Sequence, residues 1–155
     1  MSPPQSEDPA FEAGIRASFA RQGLMATLGA SIVRASPGMV EVALTPSPSI
    51  SQQHGFVHAG AVSAIADTAA GYAALSLMPA EGSVLTVEFK VNLFAPARGD
   101  RLVARGRVLR SGRTITVCQG DAYGVTADGE LHCATMVATM IRVDAPPAVA
   151  DRQGG

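Results

Sequence analysis

Apolar positions along the chain follow two periods, and the changes of period divide it into elements. Phe11, Ile15 and Phe19 recur every four residues across 9–22, the spacing of one face of a short amphipathic helix. Two β-like runs follow, Met25–Ala35 and Met39–Thr45, around the turn signal Ser36-Pro37-Gly38. Pro46 and Pro48 open an irregular stretch that ends at QQHGFVHAG. Residues 59–78 predict a helix: eight of these twenty are alanine, the best helix former, and Pro79 closes the run. The run is almost wholly apolar, as expected of a helix buried all round.

Beyond it the period drops to two. Leu85, Val87, Phe89, Val91 and Leu93 alternate with Thr86, Glu88, Lys90 and Asn92, which predicts a half-buried strand. Three more strand-like runs, Leu102–Leu109, Thr114–Val125 and Leu131–Val143, are punctuated by Ser111-Gly112 and Asp128-Gly129 as hairpin turns. The order is helix, two strands, a buried helix, then an antiparallel meander of four strands. That order predicts an α+β fold with the sheet wrapped around the Ala-rich helix. A single domain over 9–143 is expected, with 1–8 and 144–155 as flexible tails.

Composition narrows the class. With 47% hydrophobic and 16% charged residues, the chain is not disordered. Aromatics are 5% and Trp is absent, so the core is built from Ala, Val, Leu, Ile and Met. A net charge of −1 gives no steering toward nucleic acid or anionic lipid, and so little charge leaves apolar surface that an oligomer would hide. Cys118 and Cys133 are too few for a disulfide framework and form no metal motif; they read as small core residues in neighbouring strands. The start MSPPQSEDPA has neither the basic head nor the apolar run of a signal peptide, so a reducing, cytoplasmic location is the expectation. A membrane span over 59–78 is rejected, because Asp67 sits at its centre and no basic residues flank it.

Asp67 is the most informative position. Between Glu41 and Glu81 it is the only Asp, Glu, Lys or Arg. A carboxylate on a buried helix loses hydration, which is costly unless it is partnered, and such groups concentrate at functional sites. The bland alternative is an Asp that bonds a neighbouring loop. His58 sits just before the helix, where it could simply cap or pack, but Gln52, His54 and Gly55 crowd the same loop. The free N–H groups of Ala59 and Gly60 at a helix N-terminus suit a developing oxyanion, and Gly60 permits close backbone approach. His58 and Asp67 are nine residues apart, about 13.5 Å of rise and about 900° of rotation in a helix, so they lie on opposite faces and cannot touch. If they serve one site, two subunits must build it.

Arg98, Arg101, Arg105, Arg107, Arg110 and Arg113 hold six of the twelve basic residues. Most read as a solvated strand face that protects a sheet edge, with one or two left for phosphate. A nucleic-acid surface is disfavoured, since no aromatic platform interleaves with them. His132 reads as strand surface. His54 and His58 lack a third metal ligand, so no metal site is expected.

The stretch 52–69, QQHGFVHAGAVSAIADTA, resembles the signature of the hotdog-fold acyl-CoA thioesterases, closest to their PaaI-like branch. The matching positions are Gln52, Gly55, His58-Ala59-Gly60 and Asp67, supported by Asn92, Phe94 and Pro96, by Ser111-Gly112-Arg113 and by Asp128-Gly129. The resemblance covers about 25–143. Two positions depart from the usual pattern: Ala59 stands in the middle of His-Gly-Gly, and Gln52 stands where Asn is common. The resemblance implies a hotdog fold and hydrolysis of an aryl or medium-chain acyl-CoA, with coenzyme A as part of the substrate and no cofactor. It implies a catalytic set of Asp67, Gln52, His58, Ala59 and Thr86. Asp67 would act as general base or nucleophile, and Thr86 would hold the water. Gly55, Gly60, Phe56 and Tyr72 would line the substrate site, with Val57 and Leu75 beside them, and Arg110 or Arg113 would meet a CoA phosphate. It further implies a homodimer, pairing into a dimer of dimers. The competing readings are a non-catalytic acyl-CoA-binding module and a hotdog hydratase, whose Asp-x-Asn-Pro-x-His motif is absent here.

Overall fold

The computed structural model describes residues 9–144; the segments expected to be tails, apart from Asp144, lie outside them. The described elements are α1 (Pro9–Phe19), α2 (Gly23–Thr27), β1 (Ser31–Ser36), β2 (Met39–Leu44), a short 3-10 turn, α3 (Ala59–Leu75), β3 (Gly82–Leu93), β4 (Arg101–Ser111), β5 (Ile115–Thr126) and β6 (Gly129–Asp144). The strands form one six-stranded antiparallel sheet in the order β1-β2-β4-β5-β6-β3, curled around α3. This is the α+β hotdog architecture.

Small residues set how closely helix and sheet approach. Gly106 on β4 and Gly120 on β5 stand opposite each other in register. A Cβ built on Gly106 would lie 2.2 Å from the Ala69 carbonyl, and one on Gly120 would lie 2.8 Å from the Ala66 oxygen. The alanines of α3 thus rest directly on sheet backbone. Val62, Ile65, Leu102, Met136 and Met140 close the core around them, each fully buried. Cys118 and Cys133 are buried on adjacent strands, and burial pushes both thiols above their ordinary range.

Several expectations about the elements are corrected. The first helix stops at Phe19, and Met25–Thr27 are helical rather than extended, because α2 folds over to bury Met25 and a left-handed Gly29 (φ 64°) precedes β1. The last four strands are not a sequential meander: β3 pairs with β6 at the sheet edge, and residues 94–100 carry the chain across to β4. The even alternation along β3 is broken by a bulge between Thr86 and Glu88. Thr86 lies on the same sheet face as its partner Met140, and beyond the bulge Phe89 and Val91 share that face with Ala138 and Met136, so Leu85 lies on the opposite side; at this sheet edge Thr86 and Phe89 stay exposed. Finally, α3 is not buried all round. Ser63, Ala64, Asp67, Thr68, Gly71 and Leu75 form a half-buried stripe at helical spacing.

The arginine-rich strand is also not an edge, since β4 lies between β2 and β5. Its Arg105 forms a bidentate pair with Glu130 at 2.6 and 2.8 Å, lies 3.4 Å from Glu41, and stacks 4.6 Å over Tyr123. Arg107 donates to Gln119 at 2.6 Å. These two arginines knit neighbouring strands together. His132 is half-buried, stacked at 4.6 Å on Tyr123 and edge-on at 4.9 Å to Phe94.

Candidate active site

The expected site residues fall into two groups, held by different parts of the fold. The first centres on Asp67, midway along α3. The β3 bulge turns Thr86 toward it, and the Thr86 hydroxyl donates to Asp67 Oδ1 at 2.8 Å. Burial raises the Asp67 pKa above the ordinary carboxylate value, and the Thr86 hydrogen bond partly offsets this by favouring the anion. A carboxylate so placed accepts a proton more readily near neutral pH than an exposed one does. Asp67 and Thr86 border a cavity of about 350 Å³ that also reaches Gly71, Tyr72 and Leu75.

Sequence reasoning missed the far wall of this cavity, which comes from Ser18, Arg21 and Gln22 at the end of α1 and the turn after it. The one local hint was that Arg21 and Gln22 end the apolar spacing of 9–22 on polar side chains.

The second group surrounds the N-terminus of α3. The loop before it is tied at both ends: Gln52 N–H donates to Phe56 O at 2.8 Å, Val57 N–H to Ala97 O at 3.0 Å, and His58 N–H to Ile50 O at 2.9 Å. Gly55 takes φ 84°, a left-handed turn that favours glycine. The Gln52 side-chain oxygen accepts from His54 N–H, which leaves its amide nitrogen as the outward donor. His58 is the N-cap, and its Nδ1 accepts from Gly60 N–H at 2.8 Å. That bond requires an unprotonated Nδ1, so the neutral imidazole carries its proton on Nε2. It also corrects one expectation. The Gly60 N–H is engaged by His58, and Ala59 supplies the free N–H at this terminus. Gly60 instead gives the ring room, since a Cβ there would lie 3.0 Å from His58 Nδ1.

Gln52, Phe56, Val57, His58 and Ala59 border a second cavity of about 520 Å³, closed by the crossover segment through Phe94, Pro96 and Ala97. Neither of these cavities is lined by Gly55, Gly60, Arg110 or Arg113. Arg110 and Arg113 are exposed near the β4–β5 hairpin. Among the described residues no three His, Cys, Asp or Glu side chains are grouped to hold a metal ion, and no helix is long and apolar enough to cross a membrane.

Because the Thr86 hydrogen bond works against the effect of burial at Asp67, its replacement has a defined sign. Thr86→Val removes the hydrogen bond that lowers the Asp67 pKa, so that pKa rises further. If Asp67 works as a base, the acidic limb of the pH–rate profile moves to higher pH, and turnover at neutral pH falls by about tenfold. A profile that keeps its acidic limb unmoved would separate Thr86 from Asp67.

A hotdog fold with a half-buried carboxylate on its central helix and an open N–H at that helix's start suits thioester hydrolysis. Comparisons with known proteins put the chain among thioester hydrolases. The thioesterase superfamily model matches residues 54–126. A thioesterase family protein from Silicibacter pomeroyi is 48% identical, with a TM-score of 0.84 over 86% of this chain and 98% of its own. The chain belongs to the thioesterase superfamily. Two more distant structures share the fold. A Haemophilus influenzae thioesterase is 20% identical, with a TM-score of 0.75 over 86% of this chain and 91% of its own. The E. coli PaaI protein of the phenylacetic acid degradation operon is 21% identical, with a TM-score of 0.76 over 86% of this chain and 93% of its own.

Proposed function

We propose that the protein hydrolyses an aryl or medium-chain acyl-CoA to the free acid and CoA, in a site shared between two copies of the chain. One observation carries this reading: a single chain presents two separate half-sites, a base without a carbonyl-polarising group and a carbonyl-polarising group without a base. Asp67 and Thr86 border one cavity, while Gln52, His58 and Ala59 border the other. Two antiparallel α3 helices, crossing near Ser63 and Ala64 of the half-buried stripe, would bring one copy's base to the other copy's helix N-terminus. The edge strand β3 supports the same pairing, since it leaves Leu85, Val87 and Phe89 about half exposed.

In the joined site the Ala59 N–H and the His58 Nε2–H polarise the thioester carbonyl, with the Gln52 amide orienting it. Asp67 draws a proton from a water held by Thr86 as that water attacks the carbonyl carbon, or attacks the carbon itself to give an acyl-enzyme anhydride that water then hydrolyses. The tetrahedral oxyanion collapses with expulsion of the CoA thiolate. Arg110 or Arg113 meets a CoA phosphate. A non-catalytic acyl-CoA binder would have no use for a carboxylate whose burial raises its pKa. A cytoplasmic location and a dimer of dimers belong to the same proposal. Complementation tests the shared site. Asp67→Asn and Gln52→Ala proteins are each expected to be nearly inactive, and verified mixed dimers should regain about a quarter to a half of wild-type activity per dimer, since one of the two sites is intact. Mixed dimers as inactive as the parents would place the whole site within one chain.

A further inference from the structure

Resting on that thioesterase reading, we propose that the cavity beside Asp67 selects acyl groups that carry an oxygen acceptor at the end remote from the thioester, a carboxylate above a hydroxyl. The cavity differs in chemistry between its two walls. Near the reacting bond stands Asp67, an acceptor. At the other wall Arg21 offers only donors, and Gln22, Ser18 and Tyr72 carry N–H and O–H groups that can donate as well as oxygens that accept. The Tyr72 hydroxyl lies 3.0 Å from Ser18 Oγ and receives a hydrogen bond from Gln22 Nε2 at 3.2 Å. Ser18 and Tyr72 share one hydrogen between them, so whichever donates, the other keeps a hydroxyl proton to offer. Gln22 retains its second N–H. Arg21 makes a single long bond, from Nη1 to Ala17 O at 3.3 Å, and has no carboxylate partner among the described residues. A plain hydrocarbon chain would desolvate these donors without replacing their bonds to water, whereas an oxygen acceptor satisfies them.

Room for such a group is built in at Gly71. It lies in the interior of α3, where glycine is the least favourable residue after proline. Its φ is not positive, and a Cβ there would meet nothing within 4 Å, so the fold of a single chain does not require glycine. The open space it leaves faces the cavity between Asp67 and Tyr72. Those two residues are five apart on α3, about 7.5 Å of rise and about 500° of rotation, so a chain of about six carbons is the shortest that spans them.

The test is thiol release from hexanoyl-CoA, 6-hydroxyhexanoyl-CoA and adipoyl-CoA by the full chain. The three differ only at the remote carbon, so contacts to CoA cancel in the ratios. Adipoyl-CoA is expected to exceed hexanoyl-CoA in kcat/KM by about tenfold, with the hydroxy compound between them. Arg21→Met should bring the adipoyl-to-hexanoyl ratio to within about threefold of one, and Tyr72→Phe should do the same for the hydroxy compound. Hexanoyl-CoA as good as both oxygenated substrates overturns the inference, as do ratios unchanged in both variants. Thiol release from hexanoyl-CoA without any preference leaves the thioesterase reading standing and removes only this one. Release from phenylacetyl-CoA but from none of the three also removes only this inference, and release from none of the four removes both.

Discussion

Replacing Asp67 by asparagine is expected to lower kcat/KM for acyl-CoA hydrolysis by at least about 10²-fold, the usual scale for a positioned acid–base group. The amide keeps the shape and can still accept from the Thr86 hydroxyl, but it cannot take a proton from water or attack the carbonyl. Stability should move the other way. Burial raises the Asp67 pKa in the folded protein above its unfolded value, so folding favours the protonated form. That contribution is fully present below the unfolded pKa and is lost as pH rises through the folded one. At neutral pH the charged carboxylate therefore costs stability, and Asp67→Asn should raise Tm on the order of 2 °C, a gain that vanishes in acid. Thermal melts at both pH values alongside thiol-release assays check this. Full turnover in the variant would remove Asp67 from the chemistry, and a large fall in Tm would mark it as structural.

Gly106→Ala is expected to be among the most damaging single substitutions in the fold. The added methyl would sit 2.2 Å from the Ala69 carbonyl carbon and oxygen and 2.4 Å from the Ala70 nitrogen. These are backbone atoms of α3, so no side chain can swing aside. Either the helix lifts off the sheet or β4 bends away from it, and both open the core around Ile65 and Leu102. Overpacking of this kind costs about 3 kcal/mol or more, or a fall in Tm of roughly 10 °C. Denaturant unfolding or a melting curve measures it. Gly71→Ala is the contrast, because the space there is open. A variant at Gly106 as stable as wild type would mean that α3 can shift on the sheet, and with it Asp67.

Local information was enough for the elements that obey a single rule over many residues. The Ala-rich helix, the two hairpin turns and the run of strands follow from propensity, turn chemistry and period, which each segment carries whatever its neighbours do. Asp67 stood out for the same reason: the one charged side chain in the 39 residues between Glu41 and Glu81 is visible without a fold. The impossibility of an Asp67–His58 contact within one helix needed only helical geometry.

Contacts between distant segments were decided by the tertiary structure. The pairing of β3 with β6 instead of β4 depends on which strands meet around α3, and no pattern within β3 encodes its partner. The Thr86 bulge exists because pairing with β6 slips by one residue, and that slip turns the hydroxyl toward Asp67. Engagement of the Gly60 N–H by His58 depends on the cap geometry of one turn. Ser18, Arg21 and Gln22 reach the cavity because the end of α1 and the turn after it meet Tyr72 of α3, about fifty residues later in the chain. A sequence carries the chemistry of each side chain and the period of each segment. Which chemistries share a cavity is set by packing among segments far apart in the chain, and for this protein that packing placed Arg21 and its polar neighbours on one cavity with the half-buried acid of the central helix.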